Sequence, residues 1–264
     1  MKAVAVIPAR YASTRFPGKP LAKDTGRFLI QHVVERVRQA RRIERVIVAT
    51  DDERIAQAVT SFGGDVQMTR FDHPSGTHRV REVTDALDLA DDAVVLNVQG
   101  DEPEISPASL DRLVDRMFDS KNESQIATIA ARFDDNGPRE GSGSPLDPNC
   151  VKVVVDAAGR AMYFSRSPIP YPRDTNGAID RPSHWLLHLG IYAYRVSALR
   201  RITSEHVEPG VLERAESLEQ LRWMEHGFSI AVVVVDERSV GIDTPADYAA
   251  FVKRTREETH GVSV

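Results

Sequence analysis

Two aspartates and a short run of cations are the residues of this chain best suited to chemistry. Asp101 stands in Gln99-Gly100-Asp101-Glu102-Pro103, directly after the clearest buried apolar run, residues 93–98. Asp243 stands in Val240-Gly241-Ile242-Asp243-Thr244-Pro245. Arg10, Arg15 and Lys19 lie in Pro8-Ala9-Arg10-Tyr11-Ala12-Ser13-Thr14-Arg15-Phe16-Pro17-Gly18-Lys19-Pro20. A carboxylate after a buried strand suits Mg²⁺, a hard cation that takes oxygen ligands and shares them with phosphates. A turn-rich loop with three cations offers backbone N–H groups and charged side chains to an anion. A basic loop with two acids is the minimum set for a nucleoside triphosphate and its metal. Taken singly, each segment has a plainer reading: a solvated loop, a turn-stabilising aspartate, and a carboxylate at a helix start.

Known phosphate fingerprints are missing. Gly18-Lys19 lacks the earlier glycine and the following Ser or Thr of a P-loop, and no G-x-G-x-x-G is present. The second absence argues against a nicotinamide dehydrogenase.

These loops need a scaffold. Residues 3–7, 45–50, 66–69 and 93–98 read as strands, and the first ends at Pro8. Helical spacing joins Leu29, Ile30, Val33, Val34, Val37 and Ala40. Thr50 and Glu53 have the spacing of a capping box opening a helix to about Phe62, which Gly63-Gly64 ends. Further helices are expected over 76–89 and from Ser106-Pro107 to about Phe118. Strands alternating with helices imply right-handed βαβ units and a mostly parallel, α/β sheet. Such a sheet binds ligands at the carboxyl ends of its strands, where these loops fall. The second half is less regular. Strands are expected over 151–155, 189–194 and 228–235, with a helix over 217–226. Residues 134–148 read as an exposed loop rich in Gly, Ser, Pro and Asp. Thr244 and Asp247 have capping-box spacing at the start of a last helix.

Arg79, Tyr163-Phe164-Ser165-Arg166, His188-Leu189-Gly190-Ile191-Tyr192 and Leu218-Glu219-Gln220-Leu221-Arg222 mix cations with hydroxyl and amide groups. An acidic, hydroxyl-rich substrate needs that mixture. Each also has a structural reading, such as a surface Glu219–Arg222 pair.

Composition narrows the class. The 264 residues carry 34 Lys+Arg and 39 Asp+Glu, a net charge of −5, which argues against a nucleic-acid partner. One Cys excludes an internal disulfide framework and a cysteine zinc site. Apolar runs such as residues 231–235 are far too short to span a bilayer. The N-terminal apolar run stops at Pro8 with no cleavage site, so a single soluble domain over residues 1–264, not associated with a membrane and located in the cytoplasm, is expected.

The motifs also resemble a known family. Pro8 to Pro20, Ala49-Thr50-Asp51, Asp72-His73-Pro74-Ser75-Gly76-Thr77, Asn97-Val98-Gln99-Gly100-Asp101-Glu102-Pro103 and the later segments above are similar, in order, to those of the 3-deoxy-manno-octulosonate (Kdo) cytidylyltransferases, the CMP-Kdo synthetases. The related sialic-acid cytidylyltransferases share Pro-Ala-Arg but continue with Gly-Ser-Lys. The resemblance implies a three-layer, nucleotide-diphosphosugar-transferase-like fold with a twisted sheet and a small dimerisation lobe in the second half. It implies a homodimer, CTP with Mg²⁺, and the reaction CTP + Kdo → CMP-Kdo + diphosphate, used for lipopolysaccharide-type sugars.

By the same resemblance, Arg10 and Lys19 would hold the triphosphate, with Pro8, Ala9 and Arg15 beside it. Asp101 and Asp243 would ligate Mg²⁺, and Ser75 and Gly76 would lie near the cytosine. Arg79, Gln99, Arg166, His188, Tyr192, Glu219 and Gln220 would surround the sugar acid. No residue stands out as a general base. Two features depart from the family pattern: His78 stands in place of an acidic residue, and the 134–148 loop is longer. The alternatives are a CTP- or UTP-dependent enzyme for a related sugar acid, and a nucleotide-binding module without activity.

Overall fold

A computed structural model describes residues 2–12 and 14–261; Ser13 of the basic loop lies outside the described residues. The elements begin with β1 (Ala3–Ala9), α1 (Leu29–Val37), β2 (Ile43–Thr50), α2 (Glu53–Ser61) and β3 (Asp65–Met68). They continue with α3 (Gly76–Ala86), β4 (Val94–Asn97), α4 (Pro107–Phe118), β5 (Ile126–Arg132), β6 (Lys152–Val155) and β7 (Ala161–Ser165). The last are β8 (Leu186–Arg195), α5 (Val196–Ile202), α6 (Val211–Glu216), α7 (Glu219–Glu225), β9 (Ile230–Val235) and α8 (Pro245–Gly261). This is the mixed α/β fold with a mostly parallel central sheet that the strand–helix alternation implies. Chain contacts divide it into two compact units. An N-terminal unit holds residues 2–89, 95–111 and those from 239 onward; a central unit holds 90–94 and 112–238.

In the N-terminal unit the strands run β3-β2-β1-β4, all parallel. β1 pairs β2 from Ala3↔Ile43 to Ala9↔Thr50, and pairs β4 from Val4↔Val95 to Val6↔Asn97. The chain moves outward from β1 to β2 and β3, then returns to β1's other side for β4. That reversal is a topological switch point, where loops part and leave a crevice at the carboxyl ends of the strands. The basic loop leaves β1 there, and Gln99-Gly100-Asp101 leaves β4.

The N-terminal unit has a second anchor. Leu29 from α1, Ile242, and Tyr248, Phe251 and Val252 from α8 form a buried apolar cluster, with Phe16 of the basic loop and Ala22 just after it packed on it. Burial of this cluster fixes the loop carrying Lys19 against the segment carrying Asp243. The start of α8 is the capping box expected from sequence. Thr244 N–H donates to the Asp247 carboxylate at 2.8 Å, and Asp247 N–H to the Thr244 hydroxyl at 3.2 Å. At α2 the expectation fails by two residues. Asp52 is the cap, accepting from Arg54 N–H at 2.9 Å, while the Thr50 hydroxyl accepts from Asp52 N–H. A carboxylate at the helix start is stabilised by the dipole as well as by the hydrogen bond.

In the central unit β5 lies between β8, antiparallel, and β9, parallel, and β6–β7 form a hairpin. Neither β5 nor β7 stands out in the sequence. β5 reads Ile-Ala-Thr-Ile-Ala-Ala-Arg, whose alanines have low strand propensity, yet its first six residues are buried. Between Thr128↔Tyr192 and Ala130↔His188, three residues of β8 face one of β5. Such an irregularity re-aims side chains, and here it flanks His188 and Tyr192. Most of the 134–148 loop is exposed, but Ser144, Pro145 and Asp147 are buried, contrary to the reading of exposure throughout. Asp147 is held there by N–H donors from Gly143 and Asn149, both at 2.8 Å.

Gly100 marks the closest approach of the β1 and β4 ends. A Cβ built on it would lie 2.9 Å from the Pro8 carbonyl oxygen. The Gly100→Ala variant is expected to lose about 1–3 kcal/mol, the usual cost of overpacking. Chemical denaturation measures this, and an unchanged midpoint would show that the two loops separate freely.

Candidate active site

The basic loop is shaped by a glycine and a ring. Gly18 has φ +71°, and its N–H donates to the Tyr11 carbonyl at 2.9 Å. The Tyr11 ring lies 3.1 Å from where a Cβ would stand, so only glycine fits both demands. The Arg54 guanidinium packs on the same ring, 3.4 Å from its centroid. A short 3₁₀ turn, Lys19–Leu21, follows and buries Pro20, which fixes where Lys19 starts.

From there Lys19 Nζ donates to Asp101 Oδ2 at 2.6 Å and to the Ile242 carbonyl at 2.6 Å, with Asp243 Oδ1 at 4.0 Å. Arg15 Nη2 donates to the same Asp243 oxygen at 2.8 Å. The backbones of the two acidic loops are joined by a 2.9 Å hydrogen bond from Ile242 N–H to the Asp101 carbonyl. Two aspartates 142 positions apart in the sequence thus converge on one ammonium. Lys19 is mostly buried, with a side-chain exposure of 12%, whereas Asp243 is 52% exposed. The next residue, Glu102, is buried, and burial pushes its carboxyl up to about 8 although the Ser239 hydroxyl donates to it at 2.6 Å. At neutral pH it is therefore mostly uncharged and adds little negative charge beside Asp101.

The donor set suits a divalent cation of the Mg²⁺ kind. Two carboxylates are hard oxygen ligands, and Mg²⁺ is typically bound by one or two of them with water and phosphate oxygens completing the shell. Among the described residues no group of three or more His, Cys, Asp or Glu is placed to hold a metal. The pair Asp101 and Asp243 therefore fits a cation that arrives with a phosphate ligand better than one caged by protein alone.

Other expected nucleotide residues lie on the same loops. Arg10 is exposed, and its Nη2 donates to the His73 carbonyl at 2.6 Å, tying the basic loop to the segment before α3. Ser75 caps α3, its hydroxyl accepting from His78 N–H. A Cβ on Gly76 would lie 3.5 Å from the Pro8 ring, so the start of α3 rests on the end of β1 and beside Ala9. Arg79 is different: it is wholly buried, with Nη1 on Thr69 Oγ1 at 2.5 Å and on Asp51 Oδ1 at 3.1 Å. Its Nε and Nη2 have no hydrogen-bond partner among the described residues. Asp51 was legible only as part of a motif, because a carboxylate after a strand does not announce a partner 28 residues away. Gln99 is half-buried beyond β4, and its carbonyl accepts from Glu102 N–H at 3.4 Å.

The central unit gathers the remaining candidates. Arg166, just after β7, donates to three carbonyl oxygens: Glu216 at 2.6 Å, Pro148 at 2.9 Å and Ser217 at 3.4 Å. His188 and Tyr192 of β8 have ring centroids 5.3 Å apart, and Phe164 covers His188 at 4.9 Å. The Thr128 hydroxyl donates to the Ile191 carbonyl at 2.7 Å, so it accepts from His188 Nε2 at 3.0 Å. That fixes the neutral Nε2–H tautomer and leaves Nδ1 with a lone pair. The Tyr192 hydroxyl and Gln220 Nε2 are buried without a partner among the described residues, Gln220 lying in the first turn of α7 beside Glu219. Glu219 lies 3.6 Å from Arg222, the pair that sequence spacing suggests. Thr128 was missed because β5 was.

Burial lowers the His188 pKa to about 3. The unfolded chain takes up a proton at this residue below about 6.5 while the native chain does not, so stability falls as pH drops from 6.5 toward 3. Urea denaturation of the wild type and of His188→Gln at pH 7 and pH 5 checks this. The wild type is expected to lose more stability between the two pH values than the variant.

Comparison with known proteins bears on the whole chain. The family model described as Cytidylyltransferase matches residues 4–232. The 3-deoxy-manno-octulosonate cytidylyltransferase of Halorhodospira halophila is 46% identical over 94% of this chain and 95% of its own. That of Syntrophobacter fumaroxidans is 45% identical over 99% and 100%. A solved structure of CMP:2-keto-3-deoxy-manno-octonic acid synthetase complexed with CTP superposes with a TM-score of 0.86 at 43% identity, covering 98% of this chain and 100% of that one. A cytidylyltransferase from Leptospira borgpetersenii, at 16% identity and a TM-score of 0.58, shares the fold. Acids and cations meeting at a strand-order reversal, in a chain this similar to those enzymes along its full length, make it a member of the 3-deoxy-manno-octulosonate cytidylyltransferase family.

Proposed function

We propose that this chain joins CTP and 3-deoxy-manno-octulosonate to give CMP-Kdo and diphosphate. The observation that carries the reading is the meeting of Lys19, Asp101 and Asp243 at the switch point, in a chain of this family. The sugar's anomeric hydroxyl attacks the α-phosphorus in line, and diphosphate leaves. The anomeric oxygen gains the bond to phosphorus that the bridging oxygen of the diphosphate loses, and its proton passes to solvent. Protein catalysis of such a transfer is mainly positioning and charge stabilisation.

Lys19, Arg10 and Arg15 hold the triphosphate, and Lys19 stabilises the charge that grows on the leaving diphosphate. Pro8, Ala9, Ser75 and Gly76 form the backbone surface beside the nucleotide. Asp101 and Asp243 are the ligands for Mg²⁺, which when bound offsets the repulsion between the triphosphate and the sugar acid. In the central unit Arg166 suits the sugar carboxylate, and neutral His188 Nδ1 suits a sugar hydroxyl as acceptor. The Tyr192 hydroxyl, Gln220 Nε2 and Glu219 suit further hydroxyls. A homodimer formed through the central unit and a cytoplasmic location belong to the same reading. Among the described residues, no helix is long and apolar enough to cross a membrane.

Diphosphate release with CTP, Mg²⁺ and Kdo tests the reaction, and a panel with UTP and related sugar acids tests its specificity. Release with a related acid but not with Kdo would replace the proposed substrate. Lys19→Ala is expected to lower kcat by roughly 10²–10³, the cost of one preorganised donor. Asp101→Asn is expected to keep the fold and lose most turnover, because a neutral amide is a poor Mg²⁺ ligand. Near-normal kcat of that variant at limiting Mg²⁺ would refute the metal role.

A further inference from the structure

Arg166 is held in a way that leaves its charge available. Among the described residues no carboxylate pairs with its guanidinium; all three of its hydrogen bonds go to carbonyl oxygens. Carbonyls orient a guanidinium without neutralising it, and one N–H on each terminal nitrogen is left for a ligand. The carboxylate of Glu216 is engaged elsewhere on the same segment. One of its oxygens accepts from the Arg166 backbone N–H at 2.8 Å and the other from the Ser165 hydroxyl at 2.6 Å.

The other side of the same residue is gripped by a lysine. Lys152, at the start of β6, is fully buried. Its ammonium donates to the Arg166 carbonyl at 2.6 Å, to the Asp147 carbonyl at 2.9 Å and to the Cys150 carbonyl. All three donors are used, so Lys152 has none to offer a substrate. A buried ammonium is costly, and it is retained here with full hydrogen bonding. It ties the 147–150 turn, which supplies the Pro148 carbonyl to Arg166, to the end of β7. Glu216 ties the same residue to the junction before α7. There Ser217 takes φ +52° and α7 opens with Glu219 and Gln220.

We infer that Lys152 and Glu216 are positioning residues for the sugar acid. They clamp the Arg166 main chain from both sides, so that an unneutralised guanidinium is presented to the substrate carboxylate at a fixed place relative to the first turn of α7. This rests on the proposed reaction and on Arg166 as the sugar-acid ligand. Neither Lys152 nor Glu216 touches substrate; each acts through Arg166.

Steady-state diphosphate release with CTP and Kdo varied separately tests this on the full chain. Glu216→Gln keeps the size of the side chain but places an amide against two donors. It is expected to raise the KM for Kdo by roughly 10–100-fold, the usual effect of removing a partner that orients a ligand, with the KM for CTP nearly unchanged. Arg166→Lys is expected to show the same selective rise. Lys152→Met is expected to follow Glu216→Gln if it folds; if it does not, Glu216→Gln decides alone. An active wild type whose Glu216→Gln variant shifts both KM values together, or neither, would overturn this inference while leaving the reaction standing. A wild type that releases no diphosphate from this pair would overturn the reaction and the inference with it.

Discussion

The N-terminal unit depends on one ammonium lodged between two acidic loops. Lys19 Nζ lies 2.6 Å from an Asp101 oxygen and 4.0 Å from an Asp243 oxygen, and it also holds the Ile242 carbonyl. Without a cation at that point, two carboxylates brought together would repel each other and would each shed water at a cost. The lysine offsets that repulsion while leaving Asp243 half exposed. Much of the surrounding structure serves it. The β1–β4 crevice brings the first two loops together, and the apolar cluster under α8 brings in the third.

Cations in this protein are treated in three ways, and the treatment tracks the proposed use. Arg79 is wholly buried and paired with Asp51, so much of its charge is compensated within the fold. Lys152 is wholly buried with every donor spent on carbonyls. Arg166 is caged by carbonyls but not neutralised, which suits recognition of an anion. A count of positive residues makes these three equivalent; their partners separate them.

Burial also sets which groups stay neutral. Glu102 is pushed up to about 8 and His188 down to about 3, each mainly by removal from water. A mostly uncharged Glu102 keeps the negative charge near Lys19 to the two aspartates. A neutral His188, with its tautomer set by Thr128, is an acceptor and not a cation. Both are properties of depth and of partners, and neither residue type would suggest them.

Sequence alone was enough for the alternation of elements in the first half, the capping box at Thr244 and Asp247, and the loops that carry Arg10, Lys19, Asp101 and Asp243. These are local or periodic signals: apolar runs stop before Pro8 and Gln99, and a helix start needs only residues three apart. It did not disclose β5, whose strand character comes from burial between β8 and β9, nor Asp52 as the true cap of α2, nor the burial of Ser144, Pro145 and Asp147. Above all it did not disclose pairing. That Asp101 and Asp243 meet on Lys19, that Asp51 takes Arg79, and that Glu216 and Lys152 grip Arg166 are contacts between residues 14 to 224 positions apart. Only the tertiary structure decides such contacts, because strand order and packing, not chain spacing, determine which distant side chains become neighbours.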